Sequence, residues 1–183
     1  MEFRLAVTGH RHIKSDEKLT KSIRDILDRI LQENKGAEVW LYTALAEGSD
    51  QLVAKIANDI DKIKLVVPLP FPVEQYLTQF ETEDGKKDFI QLLKSASEVI
   101  NLPVQPDPQS AYTSLGDYLV NACDTVVALW NGENNLKKGG TSEVVLNAIY
   151  LGKPVHWIYC DNPGDGNLLS QTNHMKIGEI HQL

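Results

Sequence analysis

The chain has 183 residues, 42% of them hydrophobic, which suits a single domain over 1–183 with a substantial core. Its 18 basic residues are outnumbered by 25 acidic ones, and the formal net charge of -7 argues against non-specific binding to DNA, RNA or an anionic membrane. Any affinity for phosphate must therefore be local.

Phe3, Leu5 and Val7 open a first strand that runs out into Thr8-Gly9-His10-Arg11. Leu19, Ile23, Ile26, Leu27 and Ile30 then share one face of a helix, with Ser15 as the expected N-cap and Gly36 as its close. Val39 to Tyr42 form a second strand. Ala46-Glu47-Gly48-Ser49-Asp50 leads into a second helix carrying Leu52, Val53, Ile56 and Ala57. Lys64 to Pro68 form a third strand, after which Pro68, Pro70 and Pro72 force an irregular connection. Helical material follows from about Glu74 to Lys94, and this segment is expected to cover the site as a lid. Glu98 to Leu102, Thr125 to Trp130 and Pro154 to Tyr159 supply three more strands, separated by helices over Tyr112 to Ala122 and Thr141 to Leu151. The polar tail from Asp161 to Leu183 has no assigned element.

Strands alternating with helices predict an α/β, Rossmann-like, three-layer fold around a mostly parallel sheet of about six strands. Continuous apolar runs such as Val126-Val127-Ala128-Leu129-Trp130 fit strands buried on both faces, and Trp40, Trp130 and Trp157 are expected to pack in or beside the core. Cys123 and Cys160 lack metal or redox spacing and are expected to be reduced, buried thiols. No apolar run reaches the roughly 20 residues of a membrane span, and a strand begins where a signal peptide would stand. A cytoplasmic location without membrane partners is the expectation.

In open parallel sheets ligands sit beyond the carboxyl ends of the strands. Three polar loops leave those ends. The first, Thr8, Gly9, His10 and Arg11, combines a hydroxyl, a flexible hinge and a guanidinium able to clamp a phosphate. The second offers Glu47, Gly48 and Asp50, in which Gly48 permits close backbone approach and a carboxylate accepts from a ribose hydroxyl or a base; capping by Ser49 or Asp50 is the alternative. The third runs from Asn131 and Gly132 to Gly139, Gly140, Thr141 and Glu143, where paired glycines precede a helix whose free N–H groups favour an anion. The lysines Lys137 and Lys138 precede the glycines, so this is no Walker motif, and no GxGxxG follows the first strand. Neither a nicotinamide cofactor nor any other is expected. His10 and His12 lack neighbouring metal ligands, so no metal is expected either.

Taken together, Val7-Thr8-Gly9-His10-Arg11, Ala46-Glu47-Gly48-Ser49-Asp50, Cys123-Asp124 to Gly132, and Gly139-Gly140-Thr141-Ser142-Glu143 resemble the SLOG superfamily. That superfamily groups LOG-type phosphoribohydrolases, formerly called lysine decarboxylase-like, with DprA/Smf-like Rossmannoid domains. The resemblance implies a Rossmann-like domain that binds a nucleotide or nucleotide-derived small molecule, commonly as a homodimer. It implies phosphate held by Gly139, Gly140 and Thr141, with Glu143 at the acidic position. LOG enzymes place that glutamate three residues past the threonine; here Glu143 is two past Thr141. The segment is also similar to the nucleoside deoxyribosyltransferase pattern. Two functions follow as expectations: ligand recognition across the three loops, or N-glycosidic hydrolysis or transfer on a nucleoside 5'-monophosphate. In the second, Glu143 would be the catalytic carboxylate and Asp50 or Glu47 its assistant. A protein-interaction module is the third class, marked by an extensive apolar surface without a pocket at the loops.

Overall fold

A computed structural model describes residues 1–134, 138–161 and 175–183. Lys137 and most of the polar tail lie outside the described residues. Thirteen elements follow in chain order: β1 (Glu2–Gly9), α1 (Glu17–Glu33), β2 (Glu38–Tyr42), α2 (Ser49–Asn58), β3 (Ile63–Leu69), α3 (Val73–Leu77), α4 (Glu83–Ser95), β4 (Glu98–Asn101), α5 (Pro108–Ala122), β5 (Thr125–Trp130), α6 (Thr141–Tyr150), β6 (Val155–Tyr159) and β7 (Ile180–Gln182). The sheet order is β4-β3-β2-β1-β5-β6-β7, and every pairing is parallel except the antiparallel β6–β7 edge. The fold is Rossmann-like α/β, as the alternation predicts. Chain order reverses direction between β1 and β5, which makes that junction the switch point.

The sheet is built from runs that cannot face water. All six residues of β5 are buried, as are Leu5, Ala6 and Val7 of its neighbour β1, with Leu5 matched to Thr125 and Val7 to Val127. Helix α1 buries the stripe Leu19, Ile23, Ile26, Leu27 and Ile30, and packs on α2, which packs on α4; α5 and α6 pack on each other. Burying five such side chains contributes on the order of 10 kcal/mol before chain entropy is counted. Both cysteines are buried free thiols, and burial pushes each pKa up to about 12.

Some boundaries differ from the sequence reading. Asp16, not Ser15, caps α1, its carboxylate accepting the Leu19 N–H at 2.8 Å. Both residue types cap, but only aspartate adds a negative charge at the positive helix end. The helical material after the prolines is two helices, because the chain turns in over residues 78–82 to bury Phe80. Helix α5 begins at Pro108, four residues early, on an Asp107 cap that accepts from Ser110 N–H at 2.9 Å. The seventh strand comes from the unassigned tail, where Ile180 and His181 pair with Ile158 and Trp157.

Candidate functional site

The three polar loops and the N-terminus of α6 enclose a cleft of about 520 Å³ over the junction of β1 and β5. Thr8, Gly9, His10 and Arg11 reach it from the end of β1, Glu47 and Asp50 from the turn into α2, and Lys138, Gly139, Gly140 and Thr141 from the turn into α6. Its volume falls within the ordinary range for small-molecule sites, roughly 300–1,000 Å³. Helix α6 follows Gly140, which has no side chain to cap the helix start. A positive φ of 71° at Gly139 carries the chain past Tyr112, whose Cβ would lie only 2.6 Å from any Cβ placed there. The glycine is required by both the dihedral and the contact.

The first two loops are locked together. Ser49 does not cap α2; its backbone N–H and hydroxyl both donate to the His10 carbonyl, at 3.1 and 2.8 Å. Gly48, at φ 87°, presses so closely on the Arg11 carbonyl that an added Cβ would stand 1.9 Å from its oxygen. Gly48 therefore shapes the loop and does not line the cleft. Glu47 lines it, but its carboxylate is already engaged: it accepts from the N–H groups of Glu81 at 2.6 Å and Thr82 at 3.0 Å, and from the Thr82 hydroxyl at 2.7 Å. Glu81 in turn accepts from Arg11 at 3.3 Å and lies 2.8 Å from His12 Nε2. The connection from α3 to α4 is thus tied to both loops. Phe71, Tyr76, Phe80 and Phe89 pack in a tilted and edge-on aromatic cluster beneath it. This segment forms a packed wall of the cleft.

Asp50 is 8% exposed on the cleft lining. Burial pushes its carboxyl up to about 6, against hydrogen bonds from Thr43 and the Ala46 and Ala44 backbone and the charge of Arg11. A carboxyl in that range exchanges protons near neutral pH. Glu143 stands differently. It is not among the cleft-lining residues, and its carboxylate accepts the Gly139 N–H, folding the glycine loop back on its own helix. Asn131 and Gly132 also lie beside the cleft rather than on it: the Asn131 N–H donates to His10 Nε2 at 3.1 Å, fixing that ring from behind, and Gly132 turns the chain at φ 82°. Trp130 and Trp157 pack on each other at 5.4 Å, in the core role expected of them.

No protein-family model matches the chain, and no curated protein matches it. Among solved structures it is similar to the X-ray structure of TM1055, a structural genomics target, at 21% identity and a TM-score of 0.50, over 84% of this chain and 72% of that one. The likeness supports a related fold and nothing finer.

The residues that sequence reasoning missed are Tyr76, Gln79, Glu81 and Tyr112, all on the cleft wall. The first three follow the prolines and the last opens the helix expected over Tyr112 to Ala122, so each read as ordinary helical material. Among the described residues, no group of three or more His, Cys, Asp or Glu is placed to hold a metal ion, and no helix is long and apolar enough to cross a membrane.

Proposed function

We propose that the chain binds a nucleotide or nucleotide-derived ligand in this cleft, as a recognition or sensing domain of SLOG type. The observation that carries the reading is the uncapped start of α6 opening onto a 520 Å³ cleft at the switch point. Backbone amides and the positive helix end favour a phosphate there, with Lys138 and Arg11 as local cations in an otherwise acidic chain. Asp50 is the acceptor for a sugar hydroxyl or a base N–H. Calorimetry against nucleoside mono- and diphosphates should give dissociation constants in the micromolar to millimolar range, and silence across the panel would remove the proposal. The resemblance also implies a homodimer; Leu146, Ile149 and Tyr150 are exposed on α6 and offer an apolar surface for it, which light scattering would test.

A second reading is favoured by one observation, the buried Asp50 carboxyl with its pKa of about 6. In N-glycosidic cleavage positive charge develops at the sugar while the base leaves as an anion, so a cleft carboxyl serves as counter-charge when ionised or as proton donor when neutral. On this geometry Asp50 carries the chemistry, and Glu143 positions the glycine loop. Free-base release from nucleoside 5'-monophosphates should then fall on the order of 10²–10³-fold in Asp50→Asn. Glu143→Gln should retain far more activity. Wild-type protein that releases no base leaves recognition alone.

A further inference from the structure

The wall of the cleft holds two buried hydroxyls without a well-formed hydrogen bond. Tyr76 is 1% exposed and Tyr112 is half-buried, yet neither phenol oxygen reaches water or has a hydrogen-bond partner among the described residues. Buried hydroxyls almost always find a partner, and leaving one without costs stability. Both tyrosines line the cleft, and the Arg11 guanidinium acts on both electrostatically; at Tyr112 it is also a loose neighbour of the hydroxyl, short of a well-formed bond, whereas Tyr76 has no such neighbour.

Arg11 is itself held by a substitute anion. Its Nη1 donates to the Gln79 carbonyl at 3.1 Å and to the exposed Glu81 carboxylate at 3.3 Å. An exposed ion pair of this length is weak and exchangeable. Tyr112 also touches the glycine loop through Gly139, so one side chain joins the surroundings of Arg11 to the start of α6.

We propose that Arg11, Tyr76 and Tyr112 form a second anion subsite, where a phosphoryl group of the ligand replaces the Glu81 carboxylate beside Arg11 while another phosphoryl group sits at the start of α6. This rests on the nucleotide reading above and narrows it to ligands with two phosphoryl groups, of the nucleoside diphosphate class. A phosphoryl group presents three acceptor oxygens, enough for the guanidinium fork and both phenols. Burial keeps the phenols protonated, so both act as donors at neutral pH. Seating the anion moves Arg11 off Glu81 and opens the two hydroxyls to the ligand.

Calorimetry with phosphate, pyrophosphate, and adenine and guanine nucleoside mono- and diphosphates tests this on wild type, Tyr76→Phe, Tyr112→Phe and Glu81→Gln, beside thermal melts of the ligand-free proteins. Diphosphates should bind at least about tenfold more tightly than their monophosphate counterparts, and each phenylalanine variant should lose most of that margin. Without ligand, Tyr76→Phe should melt at or a few degrees above wild type, because the deleted hydroxyl had no partner, and Tyr112→Phe should melt close to wild type, because its contact with Arg11 is not a well-formed bond; a purely structural hydroxyl would lower the melting temperature. Glu81→Gln should tighten diphosphate binding by releasing Arg11. Equal binding of mono- and diphosphates, or a margin that survives both tyrosine substitutions, overturns the subsite and leaves the nucleotide reading in place. A pyrophosphate margin without nucleotide binding overturns the nucleotide reading and keeps the subsite. Binding of none of these probes overturns both.

Discussion

Two clefts of similar size lie at opposite ends of the sheet, and their linings differ in kind. The cleft at the carboxyl ends, about 520 Å³, is walled by groups held out of water: Asp50, Thr8, His10 and the two phenols. The other, about 620 Å³, lies by the start of β2 and β3 and is lined by Asp28, Lys35, Gly36, Glu38, Asp61 and Lys64. Its charges stay exposed, and the ones that meet satisfy each other: Lys64 donates to Glu38 at 2.6 Å and sits 4.7 Å over the Trp40 ring. Volume does not separate a site from a surface groove. Free energy stored in desolvated polar groups does, because only a ligand can return it.

The largest effect that would sharpen this contrast is a pair of glycine substitutions. Gly48 and Gly36 both have positive φ, 87° and 93°, but a Cβ at Gly48 meets the Arg11 carbonyl whereas one at Gly36 meets nothing within 4 Å. Gly48→Ala should cost more than about 3 kcal/mol and Gly36→Ala only about 1 kcal/mol, the strain of the dihedral alone. Urea denaturation reads both, and equal costs would mean that the loops relax freely.

The next effect is pH-dependent. The Asp50 carboxyl has a pKa of about 6 in the folded protein against an ordinary value of 3.8, so the folded state binds its proton more tightly. The stability this contributes is full below about pH 4 and is lost as pH rises through 6, a change of about 3 kcal/mol. Asp50→Asn lacks that loss. Its stability relative to wild type should rise between pH 4 and pH 7.5, and a flat difference across that window would show that the carboxyl is better solvated than its burial indicates.

The smallest effect belongs to the opposite cleft. Lys64→Ala should change stability by less than about 1 kcal/mol and leave nucleotide affinity untouched, as expected of an exposed ion pair. A tenfold loss of affinity would place the functional cleft at the wrong end of the sheet.

What was legible in the sequence follows the same division. β5 reads as a strand because all six residues are buried and none needs to be polar, and α1 reads as a helix because its five buried residues repeat at helical spacing. Strand β7 is three residues long, partly exposed and at the edge, so no periodicity marks it. Within the cleft, Thr8, Arg11, Asp50 and Gly139 to Thr141 were legible because strand ends and glycine turns place them whatever packs around. Tyr76, Glu81 and Tyr112 were not, because their positions depend on how α3 to α5 pack. Nor could spacing show that Glu143 and Glu47 spend their carboxylates on backbone N–H groups of the protein itself.

The contacts from the His10 carbonyl to Ser49 and from Glu47 to Glu81 and Thr82 tie the first two loops and the α3–α4 connection together at the cleft, leaving the exchangeable Arg11–Glu81 pair as the link that a ligand displaces. Segments tied in this way cannot fluctuate independently, so an incoming ligand has little loop entropy left to remove. Encounter should then be fast and nearly indifferent to ligand identity. Discrimination between related ligands should appear in how long each one stays.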